Sequence, residues 1–332
     1  MYPPNLDYSA CPGSPTNPAW KGPLEEGITQ SLLTRFLECP FRAMLYLIYG
    51  VEEEQPVHPN LVWGQAAHVG LENLINTGSL QRARDAALDE LERWPMQEPE
   101  YEYSIPAMLE RYDSSYLSQG NWEAEVKFSF PWKLPNGQTV TLRGKADGVG
   151  TGLPTTVLVE HKFKGRIDVD TLYAELPPDF QVNLYALALN CGSCIYDVIR
   201  IPEAAKFSKP RRMVSEPVRD YVTRIYSGDC GSCKEFPIDR HQKEWIFQHP
   251  FEIPDQPAFI NFQLNPLLLR VVRWWEKVTS PSFDPTNPDC YDDILYVTPI
   301  RHFDPSSTEY YHCSYHSTLS GQLDLDELTP VS

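Results

Sequence analysis

The sequence predicts an α/β protein with a central mixed sheet, flanked by helices and extended by helical segments at both ends. Three observations support this fold class. Apolar residues recur at helical spacing through residues 29–118, strand-like patterns follow over residues 121–164, and a further apolar helical pattern occupies residues 179–190.

The first predicted helices lie between residues 29 and 118. Residues 1–27 are rich in Pro, Gly and Asn without periodicity, so we expect them to form a flexible arm. Thr29 is a candidate N-cap, and Pro40 should end or kink the first helix near Cys39, because proline cannot continue the helical hydrogen bonding. Further helical patterns cover residues 60–76, 79–94 and 105–118.

The strand patterns begin at Asn121. The segment WEAEVKFSFPWKL alternates apolar and polar residues, PNG predicts a turn, and QTVTLRGKADGVG continues as a second strand. In TTVLVEHKF, the apolar run 157–159 is typical of a strand buried on both faces, so we expect this strand to be central in the sheet. The later segment IYDVIRIP predicts another strand.

The C-terminal part is predicted to be helical. Patterns at 214–226 and 265–278 indicate helices, and Asn265 and Pro266 fit the N-cap and first position of the second one. The predicted organisation is a flexible arm (1–27), one large domain (28–300) and an irregular acidic tail (301–332). Within the domain we expect a helical part (28–120), a sheet core (121–205) and a second helical part (206–280).

Length and composition are those of a globular protein. The chain has 332 residues, of which 42% are hydrophobic, enough for a large core in one elaborated domain or two closely packed ones. No stretch is apolar for long enough to span a membrane, and the N-terminus lacks the basic and apolar regions of an export signal. We therefore expect a cytoplasmic protein with no membrane partner.

The net charge of −17 argues at first sight against nucleic acid, because DNA-binding proteins neutralise phosphates with Lys and Arg. The charge is unevenly distributed, however, and basic residues form two groups in the middle of the chain. Each group fits either a local basic groove or solvated surface charge. The first is Arg143, Lys145, Lys162, Lys164 and Arg166, and the second is Lys206, Lys209, Arg211 and Arg212.

Asp147, Glu160 and Lys162 are the candidate catalytic residues. Glu160 and Lys162 are two residues apart on a predicted strand, so their side chains lie on one face and His161 points to the other. Asp147 ends the preceding strand, and adjacent strands could place it beside Glu160. Two carboxylates can hold a divalent cation for phosphodiester hydrolysis, while a neighbouring lysine offsets the developing charge.

The triplet Glu-x-Lys is common by chance, and an acidic residue at the end of a strand is usually solvated. The context favours a function here. The triplet directly follows a buried apolar run, where a charge needs a reason, and the aspartate lies on the preceding predicted strand.

Five motifs in one order resemble the RecB-like branch of the PD-(D/E)XK nuclease superfamily, which includes CRISPR-associated and phage exonucleases. ITQSLLTRFLECPFRAMLYLIYG is similar to the family's opening helix with its Cys-Pro, and WGQAAHVGLENLI to its G-x-x-x-H helix. GKADG and VLVEHKFK match the Asp and E-x-K motifs, with Ala-Asp in place of Pro-Asp, and QVNLYALAL matches the Q-x-x-x-Y motif. The resemblance covers residues 28–205 and implies a restriction-endonuclease-like core.

The resemblance also implies a metal site. Asp147 and Glu160 would bind Mg²⁺ or Mn²⁺ together with the backbone carbonyl of His161 and the ring of His68. An imidazole ligand would favour Mn²⁺. Lys162 would orient or deprotonate the attacking water. The alternative for His68 is a structural histidine on an amphipathic helix.

The last motif implies that Gln181 and Tyr185 order the site or contact DNA. They are four residues apart and so share one face of the predicted helix. Tyr185 could equally be a core aromatic whose hydroxyl is satisfied.

The cysteines leave several alternatives open. Many relatives in the branch carry an iron–sulfur cluster, and Cys39 and Cys290 occupy corresponding places, but the expected run of cysteines after Cys290 is absent. A zinc site is the second alternative, and reduced thiols without a metal are the third. The candidates for zinc are two C-x-x-C units, Cys191 and Cys194 with Cys230 and Cys233.

The sequence thus predicts a metal-dependent DNA nuclease, and the resemblance implies an exonuclease in recombination, repair or phage DNA processing. Its substrate would be single-stranded DNA or DNA ends, and a helicase or recombination protein could be a partner. The alternative is a non-catalytic DNA-binding or assembly module with the same fold, held by cysteine-bound zinc or an iron–sulfur cluster. A third hypothesis is a zinc-ribbon adaptor with an accidental E-x-K.

Overall fold

The described residues form two compact units. A computed structural model describes residues 11–53, 57–94, 101–116, 121–151, 155–164, 179–201, 215–217, 219–221, 246–254, 256–284 and 328–330. One unit draws on Met1–Pro56, Ser129–Gly144 and Pro257–Ser332, and the other on Val57–Phe128 and Lys145–Gln256.

A five-stranded mixed sheet confirms the predicted fold class. Its strands are β2 (Asn121–Lys133), β3 (Thr139–Thr151), β4 (Val157–Lys164), β5 (Ser193–Arg200) and β6 (Ile246–Glu252), hydrogen-bonded in that order. β4 is antiparallel to β3 and parallel to β5, while β6 is antiparallel to β5. β4 is therefore central, as its apolar run predicted, and Val157, Leu158 and Val159 are buried.

Three helices precede the sheet in the second unit: α3 (Pro59–Thr77), α4 (Leu80–Glu92) and α5 (Tyr101–Tyr116). α3 begins where His58 accepts a hydrogen bond from the backbone N–H of Asn60, and it ends at Gly78 in the left-handed conformation, with φ 61°. Trp63 on α3 is fully buried, and its indole N–H donates to Ser104 on α5 over 2.9 Å. These contacts hold α3 against the other two helices.

α6 (Phe180–Leu189) lies in the chain between the parallel strands β4 and β5. Asp179 caps its first turn by accepting from the backbone N–H of Val182, and Asn190 ends it in the left-handed conformation. The parallel pairing of β4 and β5 requires such a crossover, and this α-helix lies within it.

The first unit contains two short N-terminal helices, α1 (Gln30–Glu38) and α2 (Pro40–Met44). Thr29 caps α1 by accepting from the backbone N–H of Leu32. Cys39 is extended, with φ −160°, and its thiol accepts from the backbone N–H of Arg42 to cap α2. Pro40 therefore breaks the helix where the sequence predicted. A π-helical turn (Leu45–Tyr49) and β1 (Val51–Glu53) follow.

Residues 11–28 are held more firmly than the predicted flexible arm. Backbone N–H groups of Gly13, Ala19 and Trp20 donate to carbonyls of residues 47–49. Trp20 is 5% exposed and packs edge-on against Trp275, with ring centroids 4.7 Å apart. The Pro-rich pattern indicates that this segment forms no long helix or strand. It does not indicate whether the segment packs against the rest of the unit.

The predicted helical part 206–280 contains a strand, and this is a correction to the prediction. β6 completes the sheet with the register Asp197 to Gln248 and Tyr196 to His249. Its sequence, IFQHPFE, is short, contains a proline and alternates weakly, which fits an edge strand. Most of the helix predicted at 214–226 lies outside the described residues.

Two further differences concern the C-terminal segments of the first unit. Asn265 is not an N-cap: helical structure runs from α7 (Gln256–Phe259) through a π-helical turn into α8 (Asn265–Val278), and the Asn265 side chain accepts from Trp132. Within the predicted irregular tail, β7 (Leu328–Pro330) pairs antiparallel with β1. The domain boundaries at residues 27 and 300 stay predictions.

Among the described helices, none is both long and apolar enough to cross a membrane.

Candidate active site

β3 and β4 bring Asp147 against the backbone of the E-x-K motif. Gly148, next to Asp147, pairs with Val159, and the Asp147 carboxylate accepts a 2.8 Å hydrogen bond from the backbone N–H of His161. The Asp147 side chain is 16% exposed, so it is accessible while held in place. Sequence spacing on consecutive strands predicted Asp147 beside Glu160, and the hydrogen bond found joins Asp147 to the backbone of the next residue, His161.

Glu160, Lys162 and Gln181 form a closed triangle of hydrogen bonds. Lys162 Nζ donates to Glu160 Oε1 over 2.5 Å and to Gln181 Oε1 over 3.1 Å, and Gln181 Nε2 donates to Glu160 Oε1 over 2.6 Å. The motif on β4 and the Q-x-x-x-Y motif on α6 therefore meet. The Lys162 side chain is 30% exposed, whereas that of Glu160 is 1% exposed.

The second oxygen of Glu160 suits a cation. Glu160 is 1% exposed, and its Oε2 has no hydrogen-bond partner within the described part of the chain. A buried carboxylate oxygen without a partner is costly unless a cation or donor satisfies it. Burial, and then the charge of Asp147, raise the pKa of Glu160 to about 8, although Lys162 opposes this. A cation beside Glu160 would satisfy this oxygen and offset the repulsion between the Glu160 and Asp147 charges.

Lys162 is a cation under ordinary conditions. Burial alone would lower the pKa of Lys162, but Glu160, with Asp147 and Asp179 behind it, raises it above its usual value. In this arrangement Lys162 supplies positive charge and hydrogen-bond donors rather than a free base.

His68 on α3 lies on the other side of Asp147. Its Nδ1 is 3.9 Å from Asp147 Oδ1, and its ring packs edge-on against Phe163 at 4.7 Å. Ligand atoms of His68, Asp147 and His161 all lie within 4.8 Å of one another, a group of described residues that does not include Glu160. Burial lowers the pKa of His68, although the charge of Asp147 opposes this. The lowered pKa favours the neutral ring, which is the form that can bind a metal.

The ring of His161 lies on the opposite face of β4 from Glu160 and Lys162, as the strand alternation predicted. It is 2% exposed, and its Nε2 is 3.0 Å from the hydroxyl of Tyr112 on α5. Burial lowers the pKa of His161 to about 4. The part assigned to its backbone carbonyl stays a prediction.

Tyr185 combines both interpretations offered for it. It is 7% exposed and packs edge-on against Phe128, with centroids 5.4 Å apart, as a core aromatic would. Its hydroxyl also shares a side-chain hydrogen bond with Gln181, and burial together with Glu160 raises its pKa. Tyr185 thus extends the hydrogen-bonded triangle by one residue.

Sequence patterns did not single out Tyr112, Asp197 or Gln248. Tyr112 donates to Asp197 Oδ2 over 2.9 Å, and Gln248 donates to Asp197 Oδ1 over 3.0 Å. Asp197 is fully buried, and burial raises its pKa to about 6. The available signal was a charged residue within the apolar strand IYDVIRIP, which is the same signal that drew attention to Glu160.

The proposed second metal site is described only in its first half. Cys191 and Cys194 are buried free thiols, and burial raises the pKa of both, that of Cys191 to about 11. Without a metal they are therefore neutral. Cys230, Cys233 and Cys290 lie outside the described residues, so zinc and iron–sulfur binding stay predictions.

Part of the predicted basic groove is compensated by acidic neighbours. Lys145 forms an ion pair with Glu125, and Arg143 lies 3.6 Å from Glu26. Arg166 and the group from Lys206 to Arg212 lie outside the described residues.

The chain matches a family model of known proteins. Residues 28–200, just over half of the chain, match the model of the PD-(D/E)XK nuclease superfamily. The comparison with curated proteins found no match. Solved structures that match include that of SSO0001, at 14% identity over 74% of this chain and 86% of that chain, with a TM-score of 0.29.

The matched residues run from the start of α1 to the end of β5 and therefore include the elements that carry Asp147, Glu160 and Lys162. Their sheet order and helical cover are those of a restriction-endonuclease-like fold. The chain belongs to the PD-(D/E)XK nuclease superfamily, whose members are metal-dependent nucleases.

Proposed function

We propose that this protein is a deoxyribonuclease that uses Mg²⁺ or Mn²⁺ to hydrolyse phosphodiester bonds. The observation that carries the proposal is the buried Glu160 carboxylate, with one oxygen held by Lys162 and Gln181 and the other without a partner among the described residues. Asp147 supplies the second carboxylate. Together they offer the hard oxygen ligands that either cation accepts.

When bound, the cation would supply a Lewis acid that polarises the scissile phosphate and lowers the pKa of a water. His68, Asp147 and Glu160 are the side chains that would hold it, with the His161 carbonyl. Lys162 points its ammonium at the same carboxylate and would stabilise the charge that develops on the phosphate. Gln181 restrains both Glu160 and Lys162 and is a positioning residue.

We further infer, from the sequence motifs, membership of the RecB-like branch and an exonuclease role in recombination, repair or phage DNA processing. The G-x-x-x-H and Q-x-x-x-Y motifs support the branch, because His68 and Gln181 both lie beside the carboxylates. DNA ends or single strands would be the substrate, delivered by a helicase or recombination protein.

A cleavage assay on end-labelled DNA tests the proposal. The full-length protein is expected to cut single- or double-stranded DNA with Mn²⁺ or Mg²⁺ and to stop in EDTA. Substrates with a blocked 5′ or 3′ end should be protected from an exonuclease at one end, whereas a closed circle should be cut by an endonuclease alone. DNA binding without cleavage across these metals would support the non-catalytic module instead.

A further inference from the structure

The ring of His161 is buried, yet both of its nitrogens lie near polar side chains. Although the ring is 2% exposed, both nitrogens face polar groups. Nε2 is 3.0 Å from the Tyr112 hydroxyl, and Nδ1 is 3.9 Å from Asp147 Oδ2. His161 therefore connects Tyr112 on α5 with Asp147 at the candidate metal site.

The hydrogen bonds of Tyr112 determine which nitrogen of His161 carries the proton. Tyr112 has one hydroxyl hydrogen, and it donates this hydrogen to Asp197 Oδ2 over 2.9 Å. The Tyr112 oxygen must therefore accept a hydrogen bond from His161, so the Nε2 atom of His161 carries the hydrogen. The lone pair of the neutral ring is consequently on Nδ1, the nitrogen nearer Asp147.

Gln248 holds Asp197, the hydrogen-bond acceptor of Tyr112. Its amide donates to Asp197 Oδ1 over 3.0 Å, so the two Asp197 oxygens receive hydrogens from β6 and from α5. Asp197 is fully buried and opposite His161 in the parallel pairing of β4 and β5. The order Gln248, Asp197, Tyr112, His161 thus has a donor and an acceptor at each step.

His68 presents a second imidazole to the same carboxylate. The Nδ1 of His68 is 3.9 Å from Asp147 Oδ1, as the Nδ1 of His161 is from Oδ2. The ligand atoms of the three residues lie within 4.8 Å of one another. Two atoms bound to one cation at about 2.1 Å are at most about 4.2 Å apart, so small side-chain movements suffice to close around it.

We propose that the Nδ1 atom of His161 is a metal ligand, which joins His68 and Asp147 to give a site with two imidazole nitrogens. Tyr112, Asp197 and Gln248 are positioning residues that set the tautomer and orientation of the ring. This inference rests on the proposed metal-dependent function and differs from the carbonyl role predicted for His161. Two nitrogen ligands select Mn²⁺ over Mg²⁺, because Mg²⁺ prefers oxygen.

Pulsed electron paramagnetic resonance on the Mn²⁺-loaded full-length protein tests the inference, because its echo modulation reports histidine nitrogens bound to Mn²⁺. Two coordinated nitrogens are expected in the wild-type protein, and one in His161→Ala and in His68→Ala. A substitution at His161 removes the ring and keeps the backbone carbonyl. Loss of a nitrogen in His161→Ala therefore separates the two possible roles of this residue.

Tyr112→Phe keeps the ring of His161 and removes its hydrogen-bond partner. The Mn²⁺ dissociation constant is expected to rise about 10-fold or more, the usual effect of losing a partner of a metal-bound histidine. His58→Asn is the matched control, because it removes a histidine of the same unit and retains a residue that caps α3. It should leave both the nitrogen count and the affinity unchanged.

One coordinated nitrogen in the wild-type protein would overturn the inference while leaving the proposed nuclease intact, provided that DNA is still cut. The same holds if folded His161→Ala retains the wild-type nitrogen count. If His161→Ala does not fold, the number of nitrogens bound to Mn²⁺ in the wild-type protein tests the inference: two support it and one overturns it. Absence of both Mn²⁺ binding and cleavage would remove the proposed function and this inference together.

Discussion

Glu160 combines a buried carboxyl, a cationic neighbour and an oxygen without a described hydrogen-bond partner. Burial and Asp147 raise the pKa of Glu160 to about 8, although Lys162 opposes this. A cation bound at Glu160 would compete with a proton for the carboxylate, so the proposed metal binding would be linked to the ionisation of Glu160.

This linkage predicts that metal affinity increases with pH. Below about pH 8 the acid form of Glu160 competes with the cation, so the association constant for Mn²⁺ should rise up to about tenfold per pH unit and level off above pH 8. Isothermal titration calorimetry between pH 6 and 9 measures this and the protons released. In Glu160→Gln the remaining pH dependence should be smaller. An equal slope in both proteins would contradict the assignment of the proton to Glu160.

Gln181 is expected to act through the residues it positions. Gln181→Ala removes the amide that bridges Glu160 and Lys162, so kcat for DNA cleavage should fall about 10- to 100-fold with a smaller change in KM. The control Gln81→Ala removes an exposed amide that bonds Asp85 on α4. A change in KM alone would instead indicate that Gln181 contacts DNA.

At the scale of elements, α3 carries two glycines with different surroundings. A Cβ atom on Gly70 would lie 2.9 Å from a methyl group of buried Leu109 and 3.2 Å from Ala87, whereas one on Gly64 would lie 3.5 Å from Phe163, an ordinary contact. Close packing of α3 on α4 and α5 therefore depends on the second glycine of this helix.

The two alanine substitutions should have opposite effects on stability. Gly64→Ala should raise the unfolding free energy by up to about 1 kcal/mol, because alanine has a higher helix propensity than glycine. Gly70→Ala has the same gain, but overpacking against Leu109 should cost about 1–3 kcal/mol and lower the unfolding free energy. Urea unfolding of the two variants measures the difference in unfolding free energy. Equal stabilities would show that Leu109 moves aside without cost.

The sequence predicted elements whose signal is local. The Pro40 break, the caps at Thr29 and the central place of β4 follow from backbone chemistry and from burial on both faces. β6 was missed because the pattern of an edge strand is weak and its partner β5 lies about fifty residues earlier in the chain. The contacts of residues 11–28 were missed because Pro-rich segments can be ordered by distant carbonyls.

The same limit applies to the candidate site. Glu160, Lys162 and Gln181 carry motifs with fixed spacing and hydrogen-bond to one another, while Asp147 accepts from the backbone of His161. Tyr112 and Gln248 meet Asp197 only through the packing of α5 and β6, and no spacing along the chain indicates those contacts.

At the scale of the whole molecule, a chain with a net charge of −17 must approach DNA, itself a polyanion. The net charge opposes long-range attraction, so the proposed binding would rely on local cations and the metal. Among the described residues, Lys162 hydrogen-bonds the candidate carboxylate Glu160, so activity should depend on Lys162 more strongly than on exposed surface lysines.

Single-turnover cleavage of end-labelled DNA by Lys162→Ala, in Mn²⁺ and in Mg²⁺, is the most direct measurement of this dependence. Lys127→Ala, an exposed lysine on β2, is the matched control. We expect Lys162→Ala to lose at least about 100-fold in rate, as for loss of a group that stabilises transition-state charge, while remaining folded and able to bind DNA. A Lys162→Ala protein that cuts DNA at the wild-type rate would contradict the assignment of catalysis to Asp147, Glu160 and Lys162.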